Sequence, residues 1–276
     1  MRKDIIIFSD LDSTALGDDH LFSKTTKDIV IDLYKSGIYF CPITARSAVD
    51  ILKQGEILQL DKYNGIIAGA NGAKIYDFGT KKWIFESFID RKIIETIFKE
   101  TYGKIGKIKV HYFADDAVYV YGQGENSKYW SELMKMDYNI IKSVEEIDKP
   151  ITHLTIILEK DSTEEKAEEF YNNYIQKLEG VDIKKYTSRI FEIINKGVNK
   201  GLAVKKICEY LGFDKNKSTS YAFGDSFNDF EMFDKVNVGV AMQNAIPQLI
   251  EISNDVTLNN NEDGVAHYIK NKIINK

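Results

Sequence analysis

Short apolar runs alternate with helix-period stretches at both ends of this chain, and the alternation lapses in between. That pattern restricts the fold more than any other feature of the sequence. In the first third, apolar runs at 5–8, 38–43 and 66–68 are separated by helical stretches at 25–35 and 49–60. The first stretch presents Ile29, Val30, Leu33 and Tyr34 on one face, and Gly37 follows it where a helix-ending glycine belongs. From Lys200 onward a helix carries Leu202, Val204, Ile207 and Leu211, stops at Gly212, and leads to a run at 221–223. A short helix, a run at 236–241 and two further helices complete the chain. Alternating β and α segments with short connections predict an α/β fold, a doubly wound, Rossmann-like parallel sheet covered by helices.

The middle of the chain reads differently. Runs at 107–113 and 118–121 flank Asp115-Asp116, and a run at 152–159 leads into a helical stretch at 163–178. Neighbouring strands joined by tight turns favour an antiparallel sheet, so this part is expected to be an α+β unit inserted into the doubly wound core. The expected division is a core in two parts, 1–79 and 191–276, with an inserted cap at 80–190. Trp83, Phe85, Tyr112, Tyr119 and Trp130 are expected to pack within the insert. The glycines of Gly122-Gln123-Gly124 and of 103–107 lack the Ser or Thr of a phosphate loop and read as turns.

Composition narrows the class of function. With 276 residues the chain can bury a full core without a metal or disulfide staple. Acids and bases are interspersed around a net charge of −5, which argues against a nucleic-acid footprint, and no basic amphipathic stretch suggests a membrane surface. The apolar run behind Met1-Arg2-Lys3 is too short for a signal-peptide core or a span, so a cytoplasmic location and a small-molecule partner are expected. The two cysteines, Cys41 and Cys208, lie in apolar and helical patterns and read as buried thiols. His20, His111, His153 and His267 are scattered without metal-ligand spacing and read as structural.

Ligands of an open parallel sheet bind beyond the carboxyl ends of its strands, and the polar clusters of this chain fall there. Asp10 and Asp12 follow the first run, Thr44 follows the second, and Asp225, Asn228 and Asp229 follow the run at 221–223. Lys200 opens the helix that leads into that last run. Two acidic strand ends side by side would attract a hard cation, and Mg²⁺ suggests phosphate chemistry. Each element alone has a plain alternative: an Asx turn, a helix cap or a solvated cation.

In combination the residues resemble the haloacid dehalogenase-like phosphotransferases. The first motif of that superfamily is matched by Asp10-Leu11-Asp12-Ser13-Thr14, the second by Thr44, the third by Lys200, and the fourth by Gly224-Asp225 through Asp229. The sequence is most similar to the Cof-type group, subclass IIB, through Thr44-Ala45-Arg46, Asn71-Gly72-Ala73, Lys200-Gly201 and Gly224-Asp225-Ser226-Phe227-Asn228-Asp229. It departs from the family pattern at Ser13 and Ala45, where glycine is usual.

The resemblance implies a catalytic set of Asp10, Asp12, Thr44 and Lys200. Asp10 would be the nucleophile that forms an aspartyl-phosphate, and Asp12 the general acid and base. Thr44 and Lys200 would grip the phosphoryl oxygens, with Arg46, Asn71, Asn228 and Asn244 as further substrate contacts. Mg²⁺ would be held at Asp10, Asp12 through its backbone carbonyl, Asp225 and Asp229. The expected activity is hydrolysis of small phosphorylated metabolites, sugar phosphates above all, with the cap closing over the site and selecting the leaving group. A sugar phosphomutase and a non-catalytic metabolite-binding regulator are the alternatives.

Overall fold

The computed structural model describes residues 4–103, 108–121, 137–158, 163–214 and 216–274. Lys107, Glu159, Trp130 and the turns expected at 104–107 and 122–124 lie outside the described residues. The chain divides into two compact units, one formed by 1–46, 50–86 and 199–276, the other by 47–49 and 87–198.

The first unit is built on a five-stranded, wholly parallel sheet. Its strands are β1 (Ile5–Ser9), β2 (Tyr39–Pro42), β12 (Thr219–Gly224), β13 (Val238–Met242) and β14 (Asp255–Thr257), in the order β14-β13-β12-β1-β2. Ile6, Ile7 and Phe8 are fully buried, as a central strand with both faces covered requires. The helices of this unit are α1 (Lys24–Lys35), α2 (Ala48–Ile57), α3 (Leu60–Tyr63), α6 (Lys200–Leu211), α7 (Phe230–Phe233), α8 (Pro247–Ile252) and α9 (Gly264–Tyr268). Ser23 caps α1 through the Thr26 N–H, and Gly37 follows the helix with φ 79°.

One local expectation fails. The run at 66–68 becomes β3 (Ile66–Gly69), which is joined to the segment after β2 by an isolated parallel bridge between Ile43 and Ala68 and by the Thr44 N–H donating to the Ala68 carbonyl. It instead starts an antiparallel three-stranded sheet with β4 (Lys74–Asp77) and β5 (Lys82–Glu86). Because β5 pairs with β4, the units part at Glu86 and Ser87 rather than at residue 80. Trp83 and Phe85 therefore pack on the core of the first unit.

The second unit holds a six-stranded sheet in the order β10-β11-β9-β6-β7-β8. Its strands are β6 (Ile108–Phe113), β7 (Ala117–Tyr121), β8 (Asp137–Ile140), β9 (His153–Leu158), β10 (Val181–Thr187) and β11 (Ile190–Asn195). All pairs are antiparallel except β7 with β8. One face, with Val110, Tyr112, Leu154, Ile156, Phe191 and Ile193, shares a core with Ile94, Ile97 and Phe98 of α4 (Arg91–Thr101) and with Ala167 and Phe170 of α5 (Glu164–Phe170). β11 keeps the chain in this sheet past residue 190, so the unit runs to Val198. Cys41 is a buried free thiol and Cys208 a partly buried one. No helix among the described residues is long and apolar enough to cross a membrane.

Candidate active site

β1 and β12 are parallel neighbours, with Ser9 opposite Phe223, so the acidic turns that follow them emerge side by side. The Asp10 N–H donates to the Phe223 carbonyl at 3.0 Å, fixing the first turn to the end of β12. Gly224 closes β12 because a Cβ there would lie 2.5 Å from Asp229 Cγ. Asp229 is fully buried beneath that glycine. Its Oδ2 accepts the backbone N–H groups of Asp225 and Ser226, both at 3.0 Å.

Lys200 sits in the first turn of α6, which Asn199 caps by accepting the Leu202 N–H at 2.8 Å. Its side chain is fully buried, and the ammonium lies 2.7 Å from Asp10 Oδ1 and 2.7 Å from Asp229 Oδ1. Thr14 donates its hydroxyl to Asp225 Oδ1 at 2.9 Å. Asp10, Asp225 and Asp229 each place a carboxylate oxygen within 4.8 Å of the others.

Three carboxylates share one ammonium in this cluster, and the electrostatics follow from that imbalance. Burial raises Asp10 well above the ordinary carboxylate range, against the opposing pull of Lys200 and with further upward pressure from Asp229. Burial and then the charge of Asp229 bring Asp225 up to about 6. Burial disfavours the Lys200 ammonium, but Asp10 and Asp229 outweigh it and hold the amine charged. The cluster lacks positive charge and offers only oxygen donors, so Asp10 and Asp225 fit a hard metal cation.

Asp12 faces a different set of partners. Arg46 grips its carboxylate bidentately, Nε to Oδ2 at 2.8 Å and Nη2 to Oδ1 at 2.6 Å, and His20 Nδ1 lies 3.1 Å from Oδ1. The remaining Arg46 nitrogen donates to Asp50 Oδ2 at 2.8 Å. Burial alone would raise Asp12, but the guanidinium outweighs it and the carboxyl is lowered. Arg46, expected to touch substrate, is thus committed to Asp12 and Asp50. His20, expected to be merely structural, stands beside a candidate catalytic acid.

The other expected residues are also in the first unit. Thr44 is buried at the end of β2, and its hydroxyl oxygen accepts the Arg46 N–H at 3.2 Å. Asn228 donates to Asn71 Oδ1 at 3.1 Å. Asn244 ties two loops, donating to the Ser13 carbonyl at 2.8 Å and accepting the Asn260 N–H at 3.0 Å. It is not the cap of α8, a place taken by Ile246. Ser13 has φ 56°, the left-handed conformation that explains the usual glycine there. Beside Asp225 a cleft of about 670 Å³ is lined by Ser13, Asp18, Asn244, Asn260 and Glu262, and none of Asp10, Asp12, Thr44 or Lys200 lines it.

Asp50 escapes the sequence reading altogether, and Thr14, named within the first motif, and His20, read as structural, enter it without their contacts to Asp225 and Asp12. Asp50 carried a signal, since it stands four residues after Arg46 at the start of α2, a spacing that pairs charges on a helix. Thr14 meets a partner 211 positions away, and no local pattern reports that.

Comparison with known proteins supplies the family. The haloacid dehalogenase-like hydrolase family model matches residues 7–269. Phosphatase YwpJ of Bacillus subtilis is 26% identical over 294 residues, covering 96% of this chain and 98% of the relative. The 5-amino-6-(5-phospho-D-ribitylamino)uracil phosphatase YitU of the same organism is 24% identical over 282 residues, with 97% of each chain covered. The solved structure of a haloacid dehalogenase subclass IIB sugar phosphatase superposes with a TM-score of 0.76 at 20% identity, covering 96% of this chain and 97% of that one. The acidic cluster around a buried lysine, on this fold and across a match of this extent, places the chain in the haloacid dehalogenase-like hydrolase family, as a phosphoric monoester hydrolase.

Proposed function

We propose that the protein is a cytoplasmic, Mg²⁺-dependent phosphatase that hydrolyses sugar phosphates or related polyol phosphates through an aspartyl-phosphate on Asp10. The observation that carries this reading is the buried Lys200 ammonium 2.7 Å from both Asp10 and Asp229, with Asp225 alongside. A phosphate monoester is a dianion and repels a carboxylate, so positive charge and fixed donors must precede attack. Lys200 and the Thr44 hydroxyl hold the non-bridging oxygens. The carboxylates of Asp10 and Asp225 and the carbonyl of Asp12 would hold Mg²⁺, which would supply the remaining neutralisation.

A carboxylate oxygen of Asp10 attacks phosphorus, the bond from phosphorus to the ester oxygen breaks, and Asp12 gives that oxygen a proton. Asp12 then takes a proton from the water that cleaves the acyl phosphate, restoring Asp10. Asp12 rests as a carboxylate bound to Arg46; released from that partner it takes a proton from solvent, and this is the proton it gives the ester oxygen. Both oxygens of Asp229 are used by Lys200 and by backbone N–H groups, which favours a positioning role over direct metal ligation.

The substrate class rests on a shared chemistry. The YitU relative is named for a phosphorylated ribityl chain and the structural neighbour for a sugar phosphate, and both leaving groups are polyhydroxylated. We assign the choice among such groups to the second unit, since the site residues of the first address the phosphoryl group. A phosphate-release screen over phosphorylated sugars, polyols, nucleotides and cofactors, with Mg²⁺ and with chelator, tests this. Release from sugar or polyol phosphates only with Mg²⁺ is expected. Full activity in chelator, or transfer with phosphate kept on the sugar, would overturn it.

A further inference from the structure

Between β3 and β4 the chain makes a turn that no catalytic step above uses. Ala70, Asn71 and Gly72 have φ of 48°, 51° and 95°, three consecutive residues in the left-handed region. Such a conformation is uncommon for non-glycine residues, alanine having no polar side chain to compensate, and it persists only where the surroundings enforce it. The surroundings here are three of the segments that build the site.

The Ala70 N–H donates to the Arg46 carbonyl at 2.7 Å and the Asn71 N–H to the Thr44 carbonyl at 3.0 Å, so the turn is laced to the loop after β2. At Gly72 a Cβ would lie 2.5 Å from the carbonyl oxygen of Asn199, so the turn packs backbone to backbone on the cap of α6, one residue before Lys200. The Asn71 side chain accepts from Asn228 Nδ2 at 3.1 Å, which reaches the acidic loop after β12. Asn71 is buried, and its carboxamide oxygen is engaged by Asn228.

We propose that the turn Ala70-Asn71-Gly72 sets the spacing between the phosphoryl-gripping residues Thr44 and Lys200 and the acidic loop, with Asn71 as its positioning residue. This rests on the assignment of Thr44 and Lys200 to the phosphoryl group. The strain of the turn is then the means by which one short segment touches all three loops at once. Asn71, expected from its family likeness to contact substrate, acts through Asn228 and Thr44.

The test uses Asn71→Gly, which permits the left-handed backbone while removing the amide, with Asn228→Ala and the double variant. Each is measured on two phosphomonoesters with dissimilar leaving groups, and each is melted. A misplacement of the grip should lower kcat on the order of 100-fold by the same factor for both esters, with KM little changed and melting near wild type. The double variant should fall no more than about threefold below the worse single one, because both remove the same contact. A rise in KM at constant kcat, a loss that depends on the leaving group, or losses that multiply in the double variant would overturn the proposal. Should Asn71→Gly fail to fold, Asn228→Ala breaks the contact from the other side and carries the same expectation. Asp10→Asn in the same assays separates the two levels: activity surviving there refutes the phosphatase assignment whatever Asn71 does.

Discussion

In the first unit, two cations removed from water stay charged because carboxylates hold them: Lys200 between Asp10 and Asp229, and Arg46 between Asp12 and Asp50. In the second unit, His111 and His153 are buried and stay neutral. Burial, then the charge of Lys109, pushes His111 down to about 4, and burial lowers His153 against the opposing effect of Glu192. His153 lies flat on Phe113, with ring centroids 4.3 Å apart, and shares a hydrogen bond with Thr152 Oγ1 at 3.0 Å. The difference separates two uses of a buried polar group. Charge that is stored at a cost in desolvation is available for chemistry, whereas a neutral ring serves as packing.

The largest expected effect breaks the stored charge itself. Asp10→Asn keeps the side-chain shape and removes the nucleophile, so turnover should fall at least on the order of 10⁴-fold. Removing one of three crowded carboxylates should leave the melting temperature in chelator unchanged or higher. A variant that keeps a substantial fraction of wild-type phosphate release would place the nucleophile elsewhere.

Metal should act on the first unit alone. A cation that binds only the native cluster stabilises by about 2.7 kcal/mol at a hundredfold excess over Kd. Hydrogen exchange should therefore slow in β1 and β12 when Mg²⁺ is added, and much less in β6 and β9. Asp225→Asn should abolish the response, and equal protection of both units in that variant would show that the cation binds outside the cluster.

Arg46→Ala tests the second charged network. It leaves Asp12 unaimed and strips the guanidinium from Asp50, and should lower kcat/KM on the order of 100-fold with a stability loss of about 2 kcal/mol. Arg46→Lys should recover stability better than activity, because an ammonium cannot reproduce the bidentate contact. Chemical denaturation and steady-state rates on the same preparations read both quantities.

The sequence reveals the apolar strands and the polar clusters that follow them, and misses β4, β5, β8, β10, β11 and β14 together with what depends on pairing partners. Residues 5–8 and 221–223 are recognisable because a fully buried parallel strand is apolar at every position. The run at 66–68 looks the same, yet β3 begins a hairpin, and nothing in three buried residues distinguishes the two. Trp83 and Phe85 are expected in the insert because such aromatics suit either core, and only the ladder of β5 to β4 assigns them to the first unit. The clusters after each strand end are legible because strand ends converge in this architecture. The bidentate hold of Arg46 on Asp12 joins residues 34 positions apart, and the side-chain direction that makes it is a tertiary fact.

The smallest effect concerns pH, and its sign differs between the units. His111 is near 4 when folded and near 6.5 when unfolded, so below 6.5 the unfolded chain binds the extra proton. Its contribution to stability is whole above pH 6.5 and is lost as pH falls toward 4, about 2 kcal/mol of it by pH 5. His153 is lowered too and adds in the same direction. Asp225 is near 6 when folded and 3.8 when unfolded, so in chelator the native first unit binds the extra proton. Its contribution is whole below about 3.8 and is lost as pH rises through 6, by an amount below that of His111. Moving metal-free protein from pH 7 to pH 5 should thus loosen β6 and β9 while it tightens β1 and β12, read strand by strand as exchange protection corrected for the intrinsic rate at each pH. His111→Phe should remove most of the loosening and leave the tightening intact. Parallel changes in both units would mean that they unfold as one and that the contrast between stored charge and neutral packing has no thermodynamic consequence.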